Sequence, residues 1–288
     1  MKYKTLSNPS AKLSAELSNL NRNWFDTKIA NDILAPSSRN AVKKLLFDMV
    51  QRGLILRIKD GVYYIIPYDY DPQTYMPDWH LLAEPLTGGN HYIGYYSAMQ
   101  IHNLTTQPSL VEQIVVDKPI RPTKVEVKNA KLQFIYHSEK HFFGYEKVWI
   151  DGFNKVFCSD LEKTFVDSLF QPHYSGGVVE IGKALYFTQK KIDFEKLIGY
   201  VDKFSSIAVL KRLGYLLELF EIENPIIESL QSRMTKSVVP LDTSLPKQGK
   251  ISEESYVHSR SVRAEWRRTG GVHGRVRGCR GRLGKRSL

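Results

Sequence analysis

The chain has 288 residues, with 41 Lys and Arg against 30 Asp and Glu, a net charge of +11 and a pI near 9.4. Its 42% apolar and 25% charged content describes a chain that packs one or two cores, which excludes a wholly disordered protein. No run approaches the roughly 18 apolar residues of a membrane helix, the opening Met1-Lys2-Tyr3-Lys4-Thr5 predicts no secretory signal, and Cys158 and Cys279 are too few for a disulfide framework or a four-thiolate zinc site, so a cytoplasmic protein is expected.

Residues 1–66 read as short helices followed by a hairpin. Leu13, Leu17 and Leu20 recur at helical spacing and predict a first amphipathic helix. Asp26 is placed to cap a second, with Ile29 and Ile33 inward. Pro36-Ser37-Ser38 opens a third, with Ser37 as its cap, Val42, Leu45, Leu46, Met49 and Val50 as its apolar stripe, and Gly53 as its stop. Two apolar runs, Leu54 to Ile58 and Val62 to Ile66, flank Lys59-Asp60-Gly61, and Asp-Gly between such runs predicts a hairpin. This is the outline of a winged helix-turn-helix over residues 1–67.

Tyr68-Asp69-Tyr70-Asp71-Pro72-Gln73 is rich in turn formers and predicts a linker over 68–79. Beyond it, a mixed domain is expected over 80–250. Its predicted elements are a helix near Tyr96–Ile101 and strands around Val111–Val116, Lys124–Val127, Leu132–His137 and Glu146–Ile150. Ser159-Asp160-Leu161-Glu162 has the form of a capping box before a helix whose apolar face is Phe165, Val166 and Leu169. Helices follow at about Gly177–Tyr186, Asp193–Lys203, Ser205–Phe220 and Pro225–Met234. Strands first and helices last give an α+β class.

Charge is concentrated at the end. Residues 251–288 hold ten basic and three acidic side chains with six Gly, leaving a net charge of only +4 on residues 1–250. A stretch so poor in periodic apolar residues predicts disorder. An Arg/Gly arm gripping phosphates is the functional reading; the favoured one is a terminus without an evolved role.

The third predicted helix carries the chemistry. Its first turns present Ser37, Ser38, Arg39, Asn40, Lys43 and Lys44. At about 100° per residue, positions 39, 40, 43 and 47 lie opposite the apolar stripe. A helix of this kind fits the major groove, where Arg39 can pair with guanine and Asn40 with adenine. Lys43, Lys44, Ser37 and Ser38 suit phosphates, which fix register without reading sequence. Arg57 and Lys59 place positive charge on the hairpin. Charges alone describe an ordinary solvated face; helix spacing, the Ser-Ser-Arg-Asn opening and a basic hairpin together favour DNA.

Four segments resemble one family. They are Ser37 to Val42 with Arg52-Gly53-Leu54-Ile55 and Lys59-Asp60-Gly61-Val62-Tyr63; Tyr92-Ile93-Gly94-Tyr95-Tyr96-Ser97-Ala98 running into His102 to Gln107; Ser159 to Thr164 with Asp167 and Gly176-Gly177; and Lys211-Arg212-Leu213-Gly214-Tyr215-Leu216-Leu217-Glu218. In order and spacing, over roughly residues 5–250, these are similar to the AbiEi-type antitoxins of bacterial abortive-infection (type IV) toxin–antitoxin systems. Asn103 stands where that family usually has Gly, and both residues tolerate left-handed backbone. The likeness stops after Leu245 to Lys250. It implies a transcriptional autorepressor that binds inverted repeats in operator DNA upstream of its own operon. It also implies an antitoxin, acting through the second domain, that opposes a companion nucleotidyltransferase-type toxin without forming a stable complex with it. No cofactor is implied, and no catalytic residue.

Two other classes compete. Asp117 with Glu126-Val127-Lys128 has the letters of a metal-dependent nuclease, in which carboxylates hold Mg²⁺ and Lys faces the scissile phosphate. A protein-interaction scaffold is the other. His137 and His141 have i, i+4 spacing, but the Glu of a zinc helix is absent. No Walker loop, dinucleotide fingerprint or nucleophile elbow occurs.

Overall fold

The computed structural model describes residues 5–220 together with 222, 230, 232, 233, 235, 237–242, 250, 251 and 257–259. The chain opens with helix α1, Asn8–Asn19, which buries Ser10, Leu13 and Leu17. Leu20 departs from the expected stripe: it follows the last helical turn as the C-cap and is 56% exposed. Strand β1 (Trp24–Asp26) leads into α2 (Thr27–Ile33), where Asp26 accepts the Ile29 N–H at 2.8 Å. Helix α3 spans Arg39–Gln51. Its cap is Ser38, whose hydroxyl accepts the Ala41 N–H at 3.3 Å; Ser37 instead sends its own N–H to Leu34, closing the preceding turn. The expected cap is thereby corrected by one residue. Gly53 ends α3 at φ +67, with Gly53 N–H on Val50 O and Leu54 N–H on Met49 O, the paired bonds of a Schellman stop.

Strands β2 (Ile55–Lys59) and β3 (Val62–Ile65) pair across Asp60-Gly61, and β1 joins on the far side in the order β1-β3-β2. One face of this sheet closes a core of Leu13, Leu17, Phe25, Ala30, Val42, Leu46 and Met49 beneath the three helices. Its other face adds Ile58 and Tyr64 to a second core shared with Leu82, Ala83, Leu86, Ile114, Val116, Leu132 and Phe134. The segment expected to act as a linker is part of that seam, since Tyr75, Met76 and Trp79 pack against it.

After a 3₁₀ turn at Trp79–Leu82 come α4 (Ala83–Thr87), β4 (His91–Ile93) and α5 (Tyr95–Ile101). Then follow β5 (Glu112–Val116), β6 (Lys124–Val127), β7 (Ala130–Tyr136), β8 (Tyr145–Trp149) and β9 (Lys155–Ser159). They form a mixed six-stranded sheet ordered β6-β7-β5-β4-β9-β8. The expectation of strands first and helices last is corrected: the molecule is α+β, with helices and strands interleaved. The central strand β4 is three residues long and buried on both faces, too short and too uniform to show a period-2 pattern.

Helices α6 (Leu161–Phe170), α7 (Val178–Thr188), α8 (Phe194–Phe204) and α9 (Ile207–Leu219) pack around Phe165, Val166, Leu169, Ile181, Leu185, Leu197, Phe204, Leu213 and Leu216. The expected capping box does not form. Asp160, not Ser159, caps α6 by accepting the Lys163 N–H at 2.9 Å, and Glu162 turns away to accept the Asp193 N–H at 3.1 Å. Buried Arg212 of α9 donates to the Leu169 and Phe170 carbonyls, satisfying the otherwise open end of α6. Short strands β10 (Val239–Pro240), β11 (Lys250–Ile251) and β12 (Val257–Ser259) make a small sheet ordered β10-β12-β11. The break expected after Lys250 therefore falls inside a strand. Most of the expected 225–234 helix and residues 260–288 of the tail lie outside the described residues. Among the described residues no helix is long and apolar enough to cross a membrane.

Candidate nucleic-acid interface

The amphipathic pattern of α3 determines which side faces out. Burying Val42, Leu46 and Met49 leaves Arg39, Asn40, Lys43, Lys44 and Phe47 in solvent, and Ser37 and Ser38 are exposed just before them. Phe47 is 61% exposed, a large apolar group amid basic and polar neighbours. The first turn carries no acidic residue. An N-terminal helix end with free N–H groups, two hydroxyls and three cations suits an anion.

The hairpin cations are placed differently from expectation. Arg57 pairs with Asp60 at 2.6 Å, across the turn. Lys59 donates to the Leu86 carbonyl at 2.6 Å, and burial against α4 lowers its pKa. Its charge is thus directed at the second core's edge rather than outward, because the sheet's outer face is docked there.

The nuclease letters do not converge. Strand β7 separates β5 from β6, and Glu126 pairs with Lys131 while Val116, next to Asp117, pairs with Tyr136. The two carboxylates are thus about 10 Å apart across the sheet and roughly 15–20 Å along it. Asp117 accepts from Asn90 at 2.9 Å, and Lys128 donates to the carbonyls of Pro72, Gln73 and Tyr75. His141 stacks on Phe204 at 3.8 Å and donates to its carbonyl, separate from the ligand role its spacing suggested. Among the described residues no group of three or more His, Cys, Asp or Glu could hold a metal.

A polar cluster sits between the large sheet and α6. Lys163 bonds to Asp167, one turn on, and to Tyr92 Oη at 2.9 Å; Tyr92 donates to Asp167 at 3.0 Å. His137 completes it, with Nε2 2.7 Å from Tyr95 Oη and Nδ1 3.3 Å from Tyr92 Oη. All five side chains are buried. Desolvation lowers the pKa of Lys163 and takes that of His137 down to about 4, and burial raises both tyrosines. A neutral His137 accepting from Tyr95 satisfies this geometry. The i, i+4 spacing of Lys163 and Asp167 was the available signal.

No family model matches the chain, and no curated protein does. Among solved structures, the crystal structure of the RV2827C protein from Mycobacterium tuberculosis is similar, with a TM-score of 0.64 and 11% identity over 88% of this chain and 92% of that one. The two chains share a fold over most of their length, and at this identity the likeness is one of architecture.

Proposed function

We propose that residues 1–67 act as a winged helix-turn-helix and that the chain is a DNA-binding transcriptional autorepressor and antitoxin of the AbiEi type. The observation that carries this reading is α3, an exposed helix whose first turns present Ser38, Arg39, Asn40, Lys43 and Lys44 away from the core. Arg39 and Asn40 read base edges in the major groove, each bidentate pair contributing about 1–3 kcal/mol of discrimination. Lys43, Lys44 and the two serines hold phosphates. The pairing of Arg57 with Asp60 leaves the hairpin a lesser role in affinity than its sequence suggests. The partners are inverted-repeat operator DNA and a nucleotidyltransferase-like toxin, opposed without a stable complex. The resemblance over residues 92–107, 159–169 and 211–218 supports the antitoxin part.

A gel shift on the DNA upstream of the chain's own gene tests the first part. A specific shift is expected that weakens with salt at a logarithmic slope near −0.9 per phosphate neutralised. Absence of any sequence preference would refute the repressor. Co-expression with the product of an adjacent nucleotidyltransferase-like gene tests the second, with restored growth expected.

A further inference from the structure

The outer strands of the large sheet carry a surface that the repressor reading does not use. The register of β8 on β9 sets Lys147 opposite Phe157 and Trp149 opposite Lys155, so all four project from one face. The partners of the other register, Glu146 with Cys158 and Val148 with Val156, point to the opposite face. The helical layer covers Tyr92, Val115 and Ile135 on the first face but stops short of these outer positions. Trp149 is 60% exposed, and Phe153, at the tip of the connecting turn, is 93% exposed. The cations lie over the rings: Lys155 Nζ is 4.3 Å from the Trp149 ring centre, and Lys147 Nζ is 5.0 Å from that of Phe157.

This face runs without a break into a cleft of about 610 Å³, because Lys155 and Phe157 belong to both. The cleft lies where β4 and β9 begin, between the sheet and the N-terminal unit. Arg22, Asn23, Trp24, Asn90 and His91 also line it, and Glu84 is the one carboxylate among its lining residues. Flat aromatic rings alternating with cations on an open sheet, beside a polar cleft of nucleotide size, match one ligand chemistry. Unpaired bases stack on rings and their phosphates pair with Lys and Arg, whereas a duplex hides its base faces.

We propose that this face binds single-stranded nucleic acid, with bases stacked on Trp149 and Phe157, phosphates held by Lys147 and Lys155, and one nucleotide seated in the cleft beside Arg22. The site is separate from α3 and does not depend on the repressor reading.

The test uses the full chain and fluorescein-labelled 12-nucleotide oligomers without self-complementarity, one of RNA and one of DNA, with a blunt duplex as control, followed by anisotropy. Binding of one or both single strands is expected, with Trp149→Ala and Phe157→Ala each weakening it about tenfold, since stacking is worth about 1–3 kcal/mol per base. Trp149→Phe should retain most of the affinity, and the Lys147→Glu, Lys155→Glu pair should abolish it. Preference for RNA would add 2′-hydroxyl contacts to the site; equal affinity would leave stacking and charge. Lys147, Trp149 and Lys155 are exposed, so thermal unfolding of their variants should match the parent; Phe157 also packs edge-on against His91 and Tyr145, so binding by Phe157→Ala is measured below that variant's own unfolding transition. No binding of either strand, or binding that all four variants leave unchanged, overturns the proposal. So does sedimentation showing that Trp149→Ala dissolves a dimer formed without oligomer, which would make the face a self-association surface.

Discussion

An ammonium and a carboxylate removed from water each lose several kcal/mol of hydration, and only close partners offset that. Lys163 has such partners: Asp167, Tyr92 Oη at 2.9 Å and the ring faces of Tyr92, Phe143 and Phe204 at 5.0–5.3 Å. Replacing Lys163→Met leaves Asp167 charged and buried, and urea unfolding should then show a loss of about 3–5 kcal/mol. The double variant Lys163→Met, Asp167→Leu should recover part of it. His137 gives the same cluster a pH dependence. Its folded pKa, about 4, lies below the ordinary 6.5, so below pH 6.5 the unfolded chain takes up the proton more readily. Its contribution is complete above pH 6.5 and declines to nothing as the medium falls through pH 4, a span of about 3 kcal/mol. His80 runs the other way: its bond to buried Glu112 at 2.8 Å raises its pKa, so its stabilisation is present in acid and is lost as pH rises through that raised value. A His137→Gln variant should be less stable at pH 7 yet lose less on acidification, as read from unfolding at pH 7, 5.5 and 4.

At the scale of elements, α3 depends on its two ends. Ser38→Ala removes the hydroxyl that accepts the Ala41 N–H and should cost about 1 kcal/mol by thermal unfolding. Gly53→Ala should cost more. Its backbone is at φ +67, and an added Cβ would come within 2.4 Å of the Pro72 ring. Pro72, just past the hairpin, thus sits close against the turn that ends α3. Helices α3, α6, α8 and α9 were legible because ten or more residues of apolar periodicity identify a helix without reference to neighbours. Strands β1 and β4 were not, since three residues carry too little pattern. The capping box failed for a related reason: Ser159 and Asp160 are both competent caps, and the choice between them rests on Thr164 of α6, which engages the Ser159 hydroxyl, and on Lys196 and Tyr200, which reach Asp160 from α8.

Across the whole molecule, the β1-β3-β2 sheet is shared by two cores, which makes residues 5–67 a dependent unit. Expressed alone, they would expose Ile58 and Tyr64 together with the sheet's outer face. That fragment should therefore unfold at lower urea than the same region in the full chain, by hydrogen exchange at Leu46 and Met49. Such long-range contacts set the limits of what the sequence could tell. The exposed face of α3 was readable, because local periodicity alone assigns it. The destination of Lys59, the Leu86 carbonyl 27 residues away, was not. Nor was the Lys147–Trp149–Lys155–Phe157 face, which exists only through the register of β8 on β9.

The central claim is that α3 reads a duplex. Its most direct measurement is anisotropy of the full chain on a labelled upstream operator and on a scrambled duplex, with Arg39→Ala and Lys44→Ala as variants. The account predicts that Arg39→Ala lowers the operator-to-scrambled ratio by about 5–150-fold, as expected for one bidentate base contact. Lys44→Ala should instead weaken both duplexes alike and lower the salt slope by about one. Affinity for both duplexes that neither substitution alters would contradict it.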